Sequence, residues 1–382
     1  MPRRLVVVLL IALVWGLALG ATAFAGPSKT EERVARALED LVDRTGGPPG
    51  GSILLRRPSG DTFIRAGVAD VETQKPFTRN KHMRIASVSK AFSGAVALSM
   101  ANDGVLSLDD TIAARLPSLP SAWGAVTLRQ AMAHTSGLPD FTKDPGFLQY
   151  FSDHLQETGI TKAELVDFVA DEPLNFAPGS SYEYSNTDNV VIAMMAEAAA
   201  AKPYEQLLAD HVLAPLELRR TALPGDSVLP GPRINGYDVD PIEDLTECCS
   251  MAFVSASGGL YSTPRELTRF VVGYVGGELF GDPVRAEQFQ FVAGASSDPP
   301  GPGVNAGGLS VFRYRTGCGT VFGHTGNFPG YTQFTAARKS GRRAVTVSVN
   351  RQLSPTAVGV NAPEAFADLR RIYRLSVCAL LD

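Results

Sequence analysis

The sequence is poor in the residues that bind metal ions. It has four cysteines and five histidines among 382 residues, and it contains neither a C-x-x-C nor an H-E-x-x-H pattern. Zinc sites and thioredoxin-like redox sites depend on such spacings. The sequence therefore predicts no metal site, while the four cysteines still allow three disulfide connectivities.

Three other classes of protein also lack support. The 35 basic residues are balanced by 39 acidic ones, for a net charge of −4, and no basic patch of the kind that binds nucleic acid is present. No G-x-S-x-G occurs, which disfavours an esterase of the alpha/beta-hydrolase type. The stretch "GPGVNA" at 301–306 fits a loose G-x-G-x-x-A pattern, but no βαβ unit follows it. We interpret it as a loop and exclude nucleotide binding.

Long apolar runs are absent except at the N-terminus. Residues 1–25 combine Arg3 and Arg4, an apolar stretch and the small-x-small sequence Ala23-Phe24-Ala25. This is the pattern of a secretory signal peptide, and an uncleaved membrane anchor is the alternative. Cleavage would leave residues 26–382 as a secreted, extracellular chain without a membrane span, in an oxidising compartment.

The rest of the sequence alternates between helical and strand patterns. Apolar residues have helical spacing from Lys29 to Arg44, and two strands around a turn at 58–61 follow. Helices and loops fill about 105–240, and strands in close succession precede a final helix at about 363–381. We therefore predict an α/β (α+β) fold with a mostly antiparallel sheet flanked by terminal helices and an inserted all-helical lobe. The boundary of such a lobe is a common place for a ligand cleft.

The candidate chemistry begins in "RIASVSKAF" at 84–92. Ser87 and Lys90 are three residues apart at the start of an apolar helix, where such side chains share a face with Cβ atoms about 5–6 Å apart. A serine hydroxyl needs a base to become a nucleophile, and lysine can be that base once desolvation or a nearby cation lowers its pKa. The pattern equally fits a helix N-cap followed by a solvated lysine.

Two other short patterns carry polar groups that could act on a substrate. In "YEYSNTDN", Tyr184 and Asn186 can point to the same side of an extended segment, although a turn before a helix is the simpler interpretation. In "VFGHTGNFPGY", His324, Thr325 and Gly326 lie on a predicted strand, where glycine lets a substrate backbone approach closely. Here the simpler interpretation is a strand end before a Pro-Gly turn.

The order and spacing of the three patterns resemble the serine beta-lactamase-like family, which includes penicillin-binding D-alanyl-D-alanine carboxypeptidases and class C beta-lactamases. Its elements are S-x-x-K, Y-x-N and K/H-T-G, related to the S-x-x-K, S-D-N and K-T-G set. "GVAD" at 67–70, "HTSG" at 134–137 and "SGGLYSTPREL" at 257–267 also look like the family. The resemblance covers essentially all of the chain after the predicted signal peptide.

The resemblance implies a role for each matching residue. Ser87 resembles the acylated nucleophile and Lys90 its activating base. Tyr184 resembles the proton relay to the leaving group, and Asn186 the residue that positions the amide. The oxyanion hole would combine the backbone N–H of Ser87 with that of the residue after the H-T-G motif. The strand residues that resemble the catalytic and substrate-binding groups are His324, Thr325, Gly326 and Asn327.

Details of the match point to one branch of the family. Class C beta-lactamases usually carry lysine in the third motif, whereas histidine resembles the secreted carboxypeptidase branch. Cys318 and Cys378 sit where secreted members of that branch have a paired disulfide. Arg313 and Arg315 share one face of the preceding strand, where the branch has an arginine that binds the terminal carboxylate. Either arginine could match it or be a surface residue.

The other two cysteines, Cys248 and Cys249, are adjacent. A bridge between neighbours strains the backbone, so we expect two buried thiols, with a vicinal disulfide as the alternative.

The resemblance implies a secreted serine D-alanyl-D-alanine carboxypeptidase-like hydrolase. Ser87 would attack the penultimate D-alanine carbonyl and form an acyl-enzyme that water resolves, and beta-lactams would acylate the same serine. The partners would be a peptidoglycan stem peptide or another small acyl substrate, without metal or cofactor, and the protein would be a monomer. A class C-like beta-lactamase, an esterase and a D-amino-acid peptidase or amidase share the fold and the serine. A non-catalytic penicillin-binding protein is disfavoured by the intact Ser87, Lys90 and Tyr184.

Overall fold

A computed structural model describes residues 26–356 and 359–382, so the predicted signal peptide lies outside the described residues. Its main feature is a sheet of eight strands in the order β2-β1-β12-β11-β10-β9-β8-β7, in which all neighbours are antiparallel. The predicted α/β fold with a mainly antiparallel sheet is thereby confirmed. The strands are β1 Gly50–Arg57, β2 Gly60–Gly67, β3 Met83–Arg84, β4 Tyr237–Val239, β5 Ile242–Asp244, β6 Tyr261–Ser262, β7 Val292–Ala293, β8 Val304–Gly307, β9 Phe312–Thr316, β10 Gly319–Phe328, β11 Tyr331–Ala337 and β12 Ala344–Val349.

Helices cover both faces of the sheet. Short 3₁₀ turns and one π-helical turn, Ala209–Leu213, connect some of them. The α-helices of the described residues are α1 Lys29–Asp43, α2 Ser89–Asn102, α3 Ile112–Arg115, α4 Leu128–Met132, α5 Pro145–Asp153, α6 Lys162–Asp167, α7 Asn186–Ala200, α8 Tyr204–Leu208, α9 Ser255–Gly258, α10 Pro264–Gly276, α11 Asp282–Gln288 and α12 Ala362–Leu381.

The terminal helices α1 and α12 pack side by side on one face of the sheet. α1 begins at a capping box in which Ser28 and Glu31 each bind the other's backbone N–H, and this satisfies donors that a helix start leaves free. Leu38 of α1 and Tyr373 of α12 join Phe334 of β11 in one apolar core. Because α10 covers the opposite face, β11 and β12 are buried along their whole length.

Most of the regular secondary structure between α2 and α10 is helical, and loops connect the helices. Its centre is α7, which is buried on most sides and packs against α2. The small hairpin of β4 and β5 lies towards the C-terminal end of this segment. No helix within the described residues has the length and apolar character needed to span a bilayer.

One local prediction is wrong. The stretch at 301–306, interpreted as a loop, contributes residues 304–306 to β8, which pairs with β9. The cause is a tight turn at 308–311, in which the Gly308 N–H donates to the Val311 carbonyl and Ser310 has a φ of 51°. This turn folds β8 back onto β9, so the two strands form a hairpin that the loop interpretation missed.

The predicted disulfide between Cys318 and Cys378 is confirmed. The two Cα atoms are 5.1 Å apart, and the bridge ties α12 to the start of β10. Cys248 and Cys249 are unbridged, as expected, but only Cys249 is buried, and Cys248 is partly exposed.

We expect Cys378→Ala to lower the free energy of unfolding by roughly 4 kcal/mol, because the bridge restricts the unfolded chain across a separation of 60 residues. Urea denaturation of the purified variant measures this change. Cys248→Ala is the matched control, since it removes a thiol without opening a bridge. Recovery of Cys378 as a free thiol in unreduced peptide maps of the wild type contradicts the bridge itself.

Candidate active site

Ser87 lies where the sheet meets the start of α2. It occupies a 3₁₀ turn, Ala86–Val88, in which Ala86 has a φ of 51°. Non-glycine residues rarely adopt this left-handed conformation, so the turn is held by its surroundings. The turn leaves Ser87 partly exposed, while Lys90, one helical turn further on, is fully buried beneath it.

The Lys90 amine contacts three oxygen atoms. Its Nζ is 3.2 Å from the Ser87 hydroxyl, 2.7 Å from Oδ1 of Asn186 and 2.7 Å from the Ser257 carbonyl. None of these oxygens carries a formal charge, so burial is only partly opposed by carboxylates further away. Burial lowers the pKa of Lys90 to about 7. A large share of this amine is therefore neutral near pH 7 and able to accept a proton.

Asn186 is fixed by a second set of bonds. Its side-chain Nδ2 donates to the Asp140 carboxylate at 3.1 Å and to the Thr142 hydroxyl at 2.9 Å, which turns Oδ1 towards Lys90. The sequence analysis did not identify Asp140. Its only signal was that of a turn residue, since Asp140 caps the short 3₁₀ turn Phe141–Lys143.

Tyr184 completes the cluster around Ser87. Its ring centroid is 5.0 Å from the Lys90 Nζ, and its hydroxyl is buried beside Ser87 without a hydrogen bond of normal geometry. Burial raises the pKa of Tyr184 well above 10, although the neighbouring Ser87 hydroxyl lowers it somewhat. Tyr184 is therefore a neutral phenol, which suits a proton donor better than a base.

A buried polar pair supports Tyr184 from behind. The His134 ring centroid is 4.6 Å from that of Tyr184, and its Nδ1 is 2.8 Å from Oδ2 of Asp188, whose other oxygen accepts from Ser136. Burial lowers the pKa of His134 to about 3 and raises that of Asp188 well above its usual range, so the pair is neutral. The stretch "HTSG" resembles the family, but no role could be assigned to it from the sequence, because the pairing of His134 with Asp188 spans 54 residues.

Residues 324–328 of strand β10 have one edge that pairs with no other described strand, which we call the free edge of β10. β9 pairs with residues 319–323 only, while β11 pairs as far as Phe328, next to a two-residue turn. Hydrogen bonds alternate along antiparallel strands, and the Phe328–Tyr331 pair that closes such a turn is a bonded one. The Asn327 N–H is therefore directed away from β11, to the edge where a substrate oxygen can meet it.

Gly326 brings the Ser87 turn close to β10. A Cβ atom at this position would lie 2.7 Å from the Ile85 carbonyl oxygen and 2.8 Å from the Ser87 nitrogen. Real Cβ atoms do not approach that closely, so any side chain would push the turn away from the strand. The sequence analysis assigned this glycine to substrate approach. The structure adds that the protein's own backbone already occupies the space.

His324 and Thr325 are both buried. Burial lowers the pKa of His324 to about 3, so its ring is neutral, and its Nδ1 donates to the Thr325 carbonyl at 2.5 Å. The Thr325 hydroxyl donates to the Pro299 carbonyl at 2.5 Å. His324 therefore supplies no positive charge to the cleft near pH 7.

Arg313 and Arg315 do not join this cluster. Their register partners on β10 are Phe322 and Thr320, which lie before the motif. Arg313 stacks on the Phe291 ring, with 4.9 Å between guanidinium and centroid, and Arg315 is exposed. Among the described contacts, neither arginine bonds to a residue around Ser87.

A cavity of about 420 Å³ adjoins the free edge of β10. Its lining includes Asn327, Tyr237 and Asp298. Asp298 precedes Pro299, whose carbonyl holds Thr325, and its carboxylate is exposed without a hydrogen bond or ion pair to any described residue. Partial desolvation in the cleft raises the pKa of Asp298, and the positive charges of Lys90 and Lys143 partly offset this.

The fold and this cluster define the class of serine hydrolases related to penicillin-binding proteins. The chain belongs to the Beta-lactamase family, whose family model matches residues 34–369.

Solved structures extend the match to nearly the whole chain. The D-amino acid amidase from Ochrobactrum anthropi SV3 is 25% identical, with a TM-score of 0.78 over 91% of this chain and 98% of that one. The D-stereospecific amidohydrolase from Streptomyces sp. is 26% identical, with a TM-score of 0.74 over 84% and 94%.

The curated relatives match over shorter spans. Penicillin-binding protein 4* of Bacillus subtilis (strain 168) is 24% identical over 290 residues, and Protein flp of Staphylococcus aureus (strain MW2) is 27% identical over 179 residues. These matches span 70% and 45% of this chain, but only 60% and 34% of the relatives' own lengths.

Proposed function

We propose that this protein cleaves amide bonds next to D-amino acid residues through an acyl-enzyme on Ser87, with D-alanyl-D-alanine carboxypeptidase activity as the first candidate. The observation that carries the proposal is the contact of one buried amine, Lys90, with both the Ser87 hydroxyl and the Asn186 amide. The family membership and the D-specific amidases among the solved relatives support it.

The geometry suggests how each step proceeds. Neutral Lys90 takes the Ser87 proton as Oγ attacks the substrate carbonyl, and the N–H groups of Ser87 and Asn327 bind the resulting oxyanion. Tyr184, a neutral phenol, delivers a proton to the departing amine and recovers one through Lys90. Water then attacks the acyl-enzyme by the reverse proton path and restores Ser87.

A second candidate activity is the hydrolysis of D-amino acid amides that carry a free α-amino group. Carboxypeptidase action requires recognition of a terminal carboxylate, yet an acidic residue, Asp298, lies in this cleft without a described partner. An exposed carboxylate beside the candidate oxyanion site favours a cationic substrate group. The amidase from Ochrobactrum anthropi offers a structural parallel for this alternative.

Substrate competition separates the candidates. The purified protein would be offered diacyl-L-Lys-D-Ala-D-Ala, D-alanine amide, a cephalosporin and a short p-nitrophenyl ester, with the L-alanine amide as the stereochemical control. Fastest turnover of the tripeptide supports the carboxypeptidase, and fastest turnover of the D-amide supports the amidase. Turnover of the ester alone, or of L- and D-amides at equal rates, contradicts the proposal.

We expect Asp298→Asn to lower kcat/KM for D-alanine amide about tenfold, because a hydrogen bond to a charged group contributes about 1.5–3 kcal/mol. The same change should leave the neutral p-nitrophenyl ester unaffected, and the ratio of the two rates is the measurement. Asp238→Asn is the matched control, since Asp238 lines the same cavity but binds its neighbour's backbone. An unchanged ratio would remove Asp298 from substrate recognition.

We also propose that the protein is exported. The signal-like pattern at 1–25 and the Cys318–Cys378 bridge support this location, because stable disulfides are typical of oxidising compartments. N-terminal sequencing of protein recovered from culture medium tests the proposal. A chain that begins at Gly26 is the expected result, and retention of the whole chain inside cells contradicts it.

A further inference from the structure

The two unbridged cysteines lie beside each other on a turn that solvent can reach. Cys248 is partly exposed and Cys249 is buried, and their sulfur atoms are 2.8 Å apart. This distance is shorter than a normal non-bonded contact between two sulfur atoms but longer than the S–S bond length of about 2.05 Å. The Gln156 side chain donates to the Cys248 and Glu247 carbonyls at 3.0 Å each, which holds the turn in place.

A buried cation, Arg84, lies within electrostatic range of this pair and has no anionic partner among the described residues. Arg84 is 1% exposed, and only one of its guanidinium nitrogens makes a hydrogen bond within the described residues, to the Ser227 carbonyl. The nearby Glu247 is already bound by Arg233 at 2.6 Å. An unpaired buried charge is unfavourable, so a thiolate in the pair would supply the missing countercharge.

The two thiols differ in acidity mainly because of the hydrogen bond between them. The hydrogen bond from Cys249, helped by the charge of Arg84, lowers the pKa of Cys248 against the effects of burial and of Glu243. The bond to Cys248 and burial raise the pKa of Cys249. The partly exposed sulfur is thus the one that ionises, which is the arrangement of an attacking thiol with a second thiol behind it.

We propose that Cys248 and Cys249 form a reactive dithiol, a redox modification site for small disulfides that is separate from the Ser87 site. The Cys248 thiolate attacks one sulfur of the small disulfide, forms a mixed disulfide and releases a small thiolate. Cys249 then loses its proton and attacks the Cys248 sulfur, and the second small thiol leaves. Two electrons pass from the dithiol to the small disulfide, and a vicinal Cys248–Cys249 bridge is the product.

The test uses oxidised glutathione as the probe, with the intact mass and peptide maps of the folded, prereduced full chain as the readout. The wild type should lose two hydrogens at the pair and retain no glutathione. Cys249→Ser should retain one glutathione on Cys248, whereas Cys248→Ser should stay unmodified at 249. Reaction of Cys248→Ser as fast as Cys249→Ser, or no reaction of the wild type under conditions that oxidise the unfolded chain, overturns the proposal.

The starting state of the protein is informative as well. If the pair is already bridged on isolation, opening by dithiothreitol and closure by oxidised glutathione in the folded protein support the proposal. A bridge that resists dithiothreitol until the protein unfolds contradicts it.

Arg84 provides an independent arm of the test. Arg84→Gln should slow the reaction of Cys248 with oxidised glutathione about tenfold, the effect of one pKa unit on the thiolate population, whereas Arg84→Lys should restore most of the rate. Circular dichroism checks that each variant is folded. A folded Arg84→Gln variant that reacts at the wild-type rate overturns the role of the cation. If Arg84→Gln fails to fold, the comparison of Cys248→Ser with Cys249→Ser decides the proposal.

Discussion

We expect Ser87→Ala to abolish covalent labelling by a fluorescent penicillin and to reduce turnover of every substrate by about 10⁶-fold, the scale of losing a serine nucleophile. In the proposed mechanism the bond to the acyl group forms at this oxygen, for which a methyl group offers no substitute. Gel fluorescence after denaturation measures the label, since only a covalent adduct survives. Persistent covalent labelling of the alanine variant would remove Ser87 from the role of nucleophile.

Ser89→Ala is the matched control for this experiment. Ser89 lies two residues further along the same segment, is buried, and accepts the Leu260 N–H at 3.1 Å. Its loss removes one structural hydrogen bond, which typically contributes about 1 kcal/mol to stability, and should leave labelling intact. Loss of labelling in both variants, with the melting temperature lowered in both, would indicate unfolding as the cause.

Replacement of Lys90 by methionine should slow acylation by 10²- to 10⁴-fold, the usual contribution of a general base. Because the base acts in its neutral form and the pKa of Lys90 is about 7, wild-type acylation should rise from pH 5 to 7 and level off above pH 8. The variant should lose this rise. Stopped-flow acylation by a chromogenic cephalosporin across this range is the measurement, and a wild-type pH profile retained by Lys90→Met contradicts the assignment.

The same pKa shift has a consequence for stability that serves as a second readout. The folded protein releases the Lys90 proton near pH 7, whereas the unfolded chain keeps it until about pH 10.4. The unfolded state therefore binds more protons between these values, and the stability of the wild type should rise with pH across this window. Lys90→Met should flatten that dependence. Lys143→Met, at an exposed lysine paired with Glu183, is the control and should change neither profile.

The part of the site that could be predicted is the part encoded in short spacings. Ser87 and Lys90 meet because three residues along the chain place them on one face. Tyr184 and Asn186 meet Lys90 because they are two residues apart where an extended stretch passes into α7. Each of these spacings involves residues that are close to one another in the sequence. The fold class followed from the same kind of local pattern, in strands near both ends of the chain.

The remainder depends on contacts between distant segments. The Ser257 carbonyl that binds Lys90 belongs to the backbone, so its side chain gives no sign of the role, and it lies 167 residues away. Asp140 looked like an ordinary turn residue, and Asp298 gave no signal at all. The spacing of the two arginines on β9 correctly predicted that they share one face of the strand. Which residues of β10 lie opposite them depends on the strand register, which the sequence does not show.

The pairing of β1 with β12 has a consequence for how the chain folds. The Gly50 N–H donates to the Asn350 side chain across 300 residues, so the middle of the sheet forms from the two ends of the described chain. Contacts of such sequence separation carry a large loop-closure entropy and form slowly. During synthesis, the β1–β2 hairpin has one edge of β1 unpaired until β12 has left the ribosome. Exposed strand edges of this kind promote aggregation. A chaperone that binds the hairpin should therefore raise the yield of folded protein more than any substitution at the active site does.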